Sequence, residues 1–211
     1  MVNMISVISS AFTSLFTCWV TTYFASKVLK NIDWEESVKI YGTLFAGAVA
    51  GLACTFADSI WFNAVEAEVY AMSGFFTAIV VWLMTKWEVR ADEPDHFKWI
   101  ILIAYIMGLS IGVHLLNLLT IPALALMFYF RKFEANWKGI LATLGISVAI
   151  LAFVQYGIIQ YTFSIAQQFE LFFTGSITRT GEDTGGMGMA MGTGSLVFAL
   201  LIVAIVAGLL F

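Results

Sequence analysis

Seven long apolar runs, separated by short polar gaps, organise this chain. They fall at about 5–28, 38–57, 68–86, 99–113, 115–131, 138–163 and 194–211. A helix needs roughly 20 apolar residues to cross the hydrocarbon of a bilayer, with about 17–25 tolerated. The pattern therefore predicts an all-α, polytopic transmembrane helix bundle of about seven crossings, one membrane domain over 1–211. No charged segment or cleavage site precedes the first run, so it is not read as a signal peptide. The last run, 194–211, stops among apolar residues with no polar flank. A piece of a longer chain is expected.

The gaps set the sidedness. Lys27, Lys30 and Lys39 flank the first gap, Lys86, Arg90 and Lys98 the third, and Arg131, Lys132 and Lys138 the fifth. Those alternate gaps hold nine of the ten basic residues, and Arg179 is the tenth. Basic loops stay in the cytoplasm. The N-terminus is then expected outside and the C-terminus inside. The unbroken run from Trp99 to Phe130 could be one long helix, but a single crossing would put Lys98 and Arg131 on opposite sides. A hairpin of two short arms, turning near His114 to Asn117, keeps both inside. Arms of about 15 residues are short for full spans and require cover from protein or a wet cavity.

Composition agrees. The chain is 61% hydrophobic and 11% charged, with mean hydropathy +0.92, against roughly 25% charged for a soluble domain. The net charge of −4 and the lack of a basic patch give no reason to expect nucleic acid. Cys18 and Cys54 both lie inside apolar runs and read as small buried residues.

Against this background the stretch 56–78, FADSIWFNAVEAEVYAMSGFFTA, stands out. It carries Asp58, Glu66 and Glu68, with no Lys or Arg between Lys39 and Lys86. An unpaired carboxylate in hydrocarbon costs several kcal/mol. The sidedness places these acids at the outer ends of two spans, where they can line a wet vestibule. Read as one helix over 58–77, the stretch puts Ser59, Asn63, Glu66, Tyr70, Ser73 and Thr77 on one polar stripe. Glu68 points nearly opposite, with Trp61. Each residue also has a plain reading. Asp58 can cap a helix, Glu68 can be hydrated at the surface, and Trp61 and Tyr70 can belong to an interfacial aromatic belt. Glu66 on the stripe must face protein or water.

His114 and Asn117 lie three apart on the expected hairpin turn. The imidazole can bind a phosphate, ligate a metal or close the turn with a hydrogen bond. No second His or Cys has zinc-ligand spacing, so no metal site is assigned. A hard divalent cation shared by the acids and a lipid phosphate stays open. The Gly-, Thr- and Met-rich segment 174–195 reads as a flexible outer loop, and its Arg179 as either a phosphate partner or a solvated side chain. Gly47 and Gly51, four apart, read as a close helix–helix seam.

Two blocks carry a family resemblance: FADSIWFNAVEAEVYAMSGFFTAIVVWLMTKWE at 56–88 and AYIMGLSIGVHLLNLLTIPALA at 104–125. With the opening 1–16, they resemble the membrane family known as domain of unknown function 2723. That family is grouped as glycosyltransferase family 117, protein O-mannosyltransferase-like, of GT-C architecture. The resemblance covers most of 1–165 and is weaker over 174–211. It implies transfer of a mannose-like sugar from a polyprenyl-phosphate carrier to Ser or Thr of an exported protein. The transfer would occur on the outer face of a bacterial inner membrane, or in the lumen of the endoplasmic reticulum. Family members usually begin with a further span and an outer loop bearing an Asp-Cys-Gly-Glu-like motif. No such motif occurs here, so this piece alone is expected to be inactive.

Transfer chemistry needs a carboxylate for the acceptor proton and donors at the leaving phosphate. Glu66 is the expected supporting acid or metal ligand, with Asp58 and Glu68 shaping the vestibule. His114 and Asn117 are the expected phosphate contacts. Trp61, Tyr70 and Asn63 are expected to meet sugar or acceptor. The rivals are a proton-coupled transporter and a non-catalytic assembly subunit.

Overall fold

The computed structural model describes residues 4–66, 69–175 and 185–210. Among them every regular element is helical. The chain divides into two compact units, Met1–Val148 and Ala149–Phe211.

The first unit begins with α1 (Met4–Lys30) and α2 (Glu36–Thr55). Their seam is built from small residues. A methyl group on Gly47 would run into the Thr22 hydroxyl and the Cys18 carbonyl, and one on Gly51 would press on Cys18 Cβ. Apolar side chains gain little by leaving lipid for protein, so such close approach is what holds membrane helices together. The far face of α2 exposes Tyr41, Leu44, Phe45 and Leu52, as a lipid-facing helix should. Cys18 and Cys54 are free thiols.

After α3 (Asp58–Val65), helix α4 (Tyr70–Val89) forms the centre of the unit. Phe16 of α1 packs on Phe75 and Trp82 of α4, with centroids 6.0 and 5.2 Å apart. On its other side α4 meets α5 (Phe97–Ile111), a 3-10 segment (Leu115–Thr120) and α6 (Ile121–Lys132). The core joins Val80, Leu83, Met84 and Trp87 of α4 to Ile103 and Leu124. Trp87 is fully buried and stacks on Phe128 at 5.1 Å.

The run from Trp99 to Phe130 is not one helix. Trp87 Nε1 donates to His96 Nδ1 (3.4 Å), just before α5, and Arg131 Nε donates to the Glu88 carbonyl (3.1 Å), at the end of α6. Both ends of the run thus meet the C-terminal end of α4. Its middle lies at the other end of α4, where His114 faces Tyr70. The second arm begins with the 3-10 turns rather than with an α-helix, and Pro122 sits in the first turn of α6, where its missing N–H leaves no bond unmade.

α7 (Trp137–Ala152) leads into the second unit, which holds a π-helical segment (Phe153–Gln160), α8 (Tyr161–Thr174) and α9 (Thr193–Leu210). The helix expected to end at 163 runs on to Thr174. The added residues, SIAQQFELFF, carry no Gly or Pro and set Phe169 against Phe198 of α9 at 5.4 Å. Part of the expected outer loop is ordered on α8. Met187 N–H donates to the Phe172 carbonyl and Met189 N–H to the Phe173 carbonyl. Arg179 lies outside the described residues.

Among the described residues, four helical runs are long and apolar enough to cross a membrane: Met4–Lys30, Glu36–Thr55, Leu115–Lys132 and Trp137–Thr174. Phe97–Ile111 and Thr193–Ile205 are shorter apolar helices. This is a multi-pass membrane protein with an α-helical bundle.

Candidate functional site

The acidic stretch does not fold as the single helix over 58–77 that its periodicity suggests. α3 ends at Val65, and Glu66 takes an extended backbone (φ −87°, ψ 147°). α4 starts afresh at Tyr70. The six-residue stripe is therefore cut. No Gly or Pro marks the cut, so the pattern of residue types did not reveal it.

Asp58 is not the cap of α3. Ala57 occupies that position without a side-chain bond, and Asp58 is the first helical residue, exposed to solvent or headgroups. Its carboxylate still suits the positive end of the helix dipole. On the same exposed face lie Trp61, Phe62 and Val65, each 60% exposed or more. Asn63 is half-buried on the other face, and so is Glu66 at the break. Glu68 lies outside the described residues.

The second half of the stripe survives on α4, where Tyr70, Ser73 and Thr77 share a face. It meets the hairpin turn. The Tyr70 and His114 rings are 5.3 Å apart. Thr77 Oγ1 donates to Asn117 Oδ1 at 3.3 Å, and Asn117 Nδ2 donates to Ser110 Oγ at 2.9 Å. Ser110 in turn donates to the Met107 carbonyl. Asn117 is 0% exposed. Its amide is committed at both ends, so its contribution is to hold the turn. Ser110 is a member of this network that residue spacing alone did not single out. No hydrogen bond or ring contact joins Asp58, Trp61 or Asn63 to the network among the described residues.

His114 has a defined tautomer. Its Nδ1 accepts the Leu116 N–H at 3.1 Å and caps the 3-10 segment. The ring proton of the neutral form then sits on Nε2, which is left to donate outward. The ring is half-buried.

A cavity of about 390 Å³ adjoins this network through Thr77 and Leu116. Its walls are apolar, with Phe16, Val20 and Val81, apart from the hydroxyls of Thr13, Thr17, Thr21 and Thr77. Much of the neighbouring face of α1 is also hydroxylated, because Ser6, Ser9, Ser10, Thr13 and Ser14 are all buried. Their spacing at 6, 9, 10, 13 and 14 is a helical-face signal present in the sequence. Among the described residues no group of three or more His, Cys, Asp or Glu comes together to hold a metal ion.

The opposite end of α4 is ionic. Glu88 pairs with Lys27, and Asp92 with Arg131 and Lys132. The hydrogen bond from Arg131 holds the Asp92 carboxyl below its ordinary range, against the opposing effect of desolvation. Basic residues thus gather at one end of the unit and the Tyr70–His114 pair at the other.

The family model described as protein O-mannosyl-transferase TMEM260 N-terminal domain matches residues 1–137. No curated protein and no solved structure matches.

Proposed function

The chain belongs to the protein O-mannosyl-transferase TMEM260 N-terminal domain family, and from that membership we propose that it is the membrane part of a transferase of GT-C type. The finer assignment to the domain-of-unknown-function 2723 group, glycosyltransferase family 117, rests on the two sequence blocks at 56–88 and 104–125. The donor is a polyprenyl-phosphate-linked, mannose-like sugar. The acceptor is a Ser or Thr hydroxyl of an exported protein, on the outer face of the membrane. The segregation of basic residues supports this orientation, with the Tyr70–His114 end outside. A bacterial inner membrane suits it.

In the reaction the acceptor oxygen attacks C1 of the sugar and the bond from C1 to the carrier phosphate breaks. The hydroxyl proton passes to a carboxylate, and the phosphate leaves on its lipid. Glu66 is the carboxylate of this chain we assign to that proton or to its support, because its extended backbone carries it out of the helix at the head of α4. His114 Nε2–H stabilises the phosphate oxygen as charge develops. Asn117 positions His114 by fixing the turn. Tyr70 and Trp61 offer faces to sugar or acceptor, Asn63 backs them, and Asp58 and Glu68 give the vestibule its negative charge.

The observation that carries this reading is that the family match covers α1 to α6, the elements that bring Tyr70, His114 and Asn117 together. The test is sugar transfer from polyprenyl-phosphate mannose to a Ser/Thr peptide in membranes containing a full-length parent of this chain. Transfer should occur and should vanish with Glu66→Gln at unchanged expression. Solute uptake by proteoliposomes without any sugar transfer would move the protein to the transporter class.

A further inference from the structure

At the basic end of the first unit lies a second pocket, of about 410 Å³, between α1 and α4. It is lined by Trp19, Thr22, Tyr23, Ser26, Trp82, Thr85, Lys86 and Val89. Three properties define what it can hold. Its charge is a single cation with no carboxylate in the wall. Among the described residues Lys86 makes no ion pair, and its ammonium sits 5.2 Å over the Trp82 ring. The basic residues around it differ, with Lys27 held by Glu88 and Arg131 by Asp92. Its aromatic wall is Trp19 and Trp82, 5.7 Å apart, and Trp19 is 44% exposed. Both tryptophans lie in the middle part of their helices and form the inner wall of the pocket, whereas Lys86 stands in the last turn of α4, nearer the depth of the headgroups. Finally, the Tyr23 hydroxyl is buried without a hydrogen-bond partner, whereas Thr22, Ser26 and Thr85 donate to carbonyls of their own helices.

A cation without a counter-ion in the last turn of α4, an unpartnered phenol and an aromatic wall that reaches inward along both helices match a phosphodiester attached to acyl chains. We propose that this pocket binds an anionic glycerophospholipid, with its phosphate on Lys86 and its chains along Trp82 and Trp19. A zwitterionic headgroup fits less well, because its ammonium would find no carboxylate in the lining. The lipid would fix the α1–α4 seam from the side opposite the sugar-transfer site. The proposal is independent of the transferase reading.

The test uses the protein reconstituted in phosphatidylcholine vesicles with or without phosphatidylglycerol, extracted in mild detergent and weighed intact. We expect retained phosphatidylglycerol in preference to phosphatidylcholine. A basic residue at the membrane surface is worth enough for about a five-fold effect, so Lys86→Ala should retain about five-fold less. Lys86→Arg and the exposed control Lys98→Ala should retain it fully. Equal retention by wild type and Lys86→Ala, or of both lipids alike, overturns the proposal. Displacement by inorganic phosphate also overturns it, and would mark a site for the free anion. Should Lys86→Ala fail to fold, the unmodified protein decides. Brominated phosphatidylglycerol must quench its tryptophan fluorescence more than brominated phosphatidylcholine, and equal quenching rejects the lipid.

Discussion

Asn117 donates its amide to Ser110 across the turn between α5 and α6, at 2.9 Å and wholly out of solvent. Removing one partner of a buried pair leaves the other unsatisfied, at about 1–3 kcal/mol. In membrane proteins the measured average is smaller, about 0.6 kcal/mol. Asn117→Ala leaves two groups, Ser110 and Thr77, short of a partner. We expect a lower thermal midpoint in detergent for Asn117→Ala, with Thr77→Val giving the smaller drop. An unchanged midpoint for both would show that the network does not hold the turn.

His114 has two separable duties. Its Nδ1 caps the 3-10 segment, and its Nε2–H points to a ligand in the proposed reaction. Asn at this position can accept the Leu116 N–H but cannot supply the remote donor. His114→Asn should therefore keep the thermal midpoint and lose sugar transfer. His114→Ala should lose both, with a stability change of about 0.5–2 kcal/mol for the missing cap. Full transfer by His114→Asn would remove the ring from the phosphate site.

The membrane bundle, the close seam at Gly47 and the fold-back near His114 were legible because each leaves a mark in residue type: apolar length, paired glycines, and basic residues at both ends of one run. The break at Glu66 was not. A helix can stop at an ordinary residue when tertiary contacts favour two short elements over one, and periodicity carries no sign of it. The pairing of Tyr70 with His114 was also hidden, since it depends on how α4 lies against the turn. For the same reason Asn117 was readable as a polar residue on the turn, but not as one buried in hydrogen bonds to Thr77 and Ser110.

The α1–α2 seam should tolerate no side chain at Gly47. A Cβ there meets the Thr22 hydroxyl and a backbone carbonyl, and overpacking typically costs about 1–3 kcal/mol. Gly145 of α7 has nothing within 4 Å of such an atom. Ala is favoured over Gly in a helix by about 1 kcal/mol. Gly47→Val should lower the thermal midpoint and Gly145→Ala should hold or raise it. The two variants differ in sign, so a common loss of expression would point away from packing as the cause.

The Asp92 clasp should be acid-sensitive. Its carboxyl is held below the ordinary range, first by the hydrogen bond from Arg131. A depressed folded-state value means the contribution is present above the unfolded value, about 3.9, and fades as pH falls through the folded one. Wild type and Asp92→Asn should differ in thermal midpoint near neutrality and converge in strong acid. Because Asp92 is exposed, the difference should also shrink in high salt. A gap that persists in strong acid would mean that the carboxylate charge is not its source.

Glu170 reaches from α8 to the start of α9. Its carboxylate accepts the Gly192 N–H, the Ser195 N–H at 2.8 Å and the Ser195 hydroxyl at 3.0 Å. These amides include ones that a helix leaves unpaired at its first turn, so a side chain from one helix caps the next. The chains approach closely here, and a Cβ on Gly194 would strike the Glu170 backbone. Loss of a cap typically costs about 0.5–2 kcal/mol, and a carboxylate adds attraction to the helix dipole. Glu170→Ala should speed hydrogen exchange at Gly192 and Ser195 while leaving the middle of α9 protected. Glu170→Gln retains one acceptor oxygen and should fall between the two. Exchange that is equal in all three proteins would show that the loop itself, through Met187 and Met189 on α8, sets the start of α9.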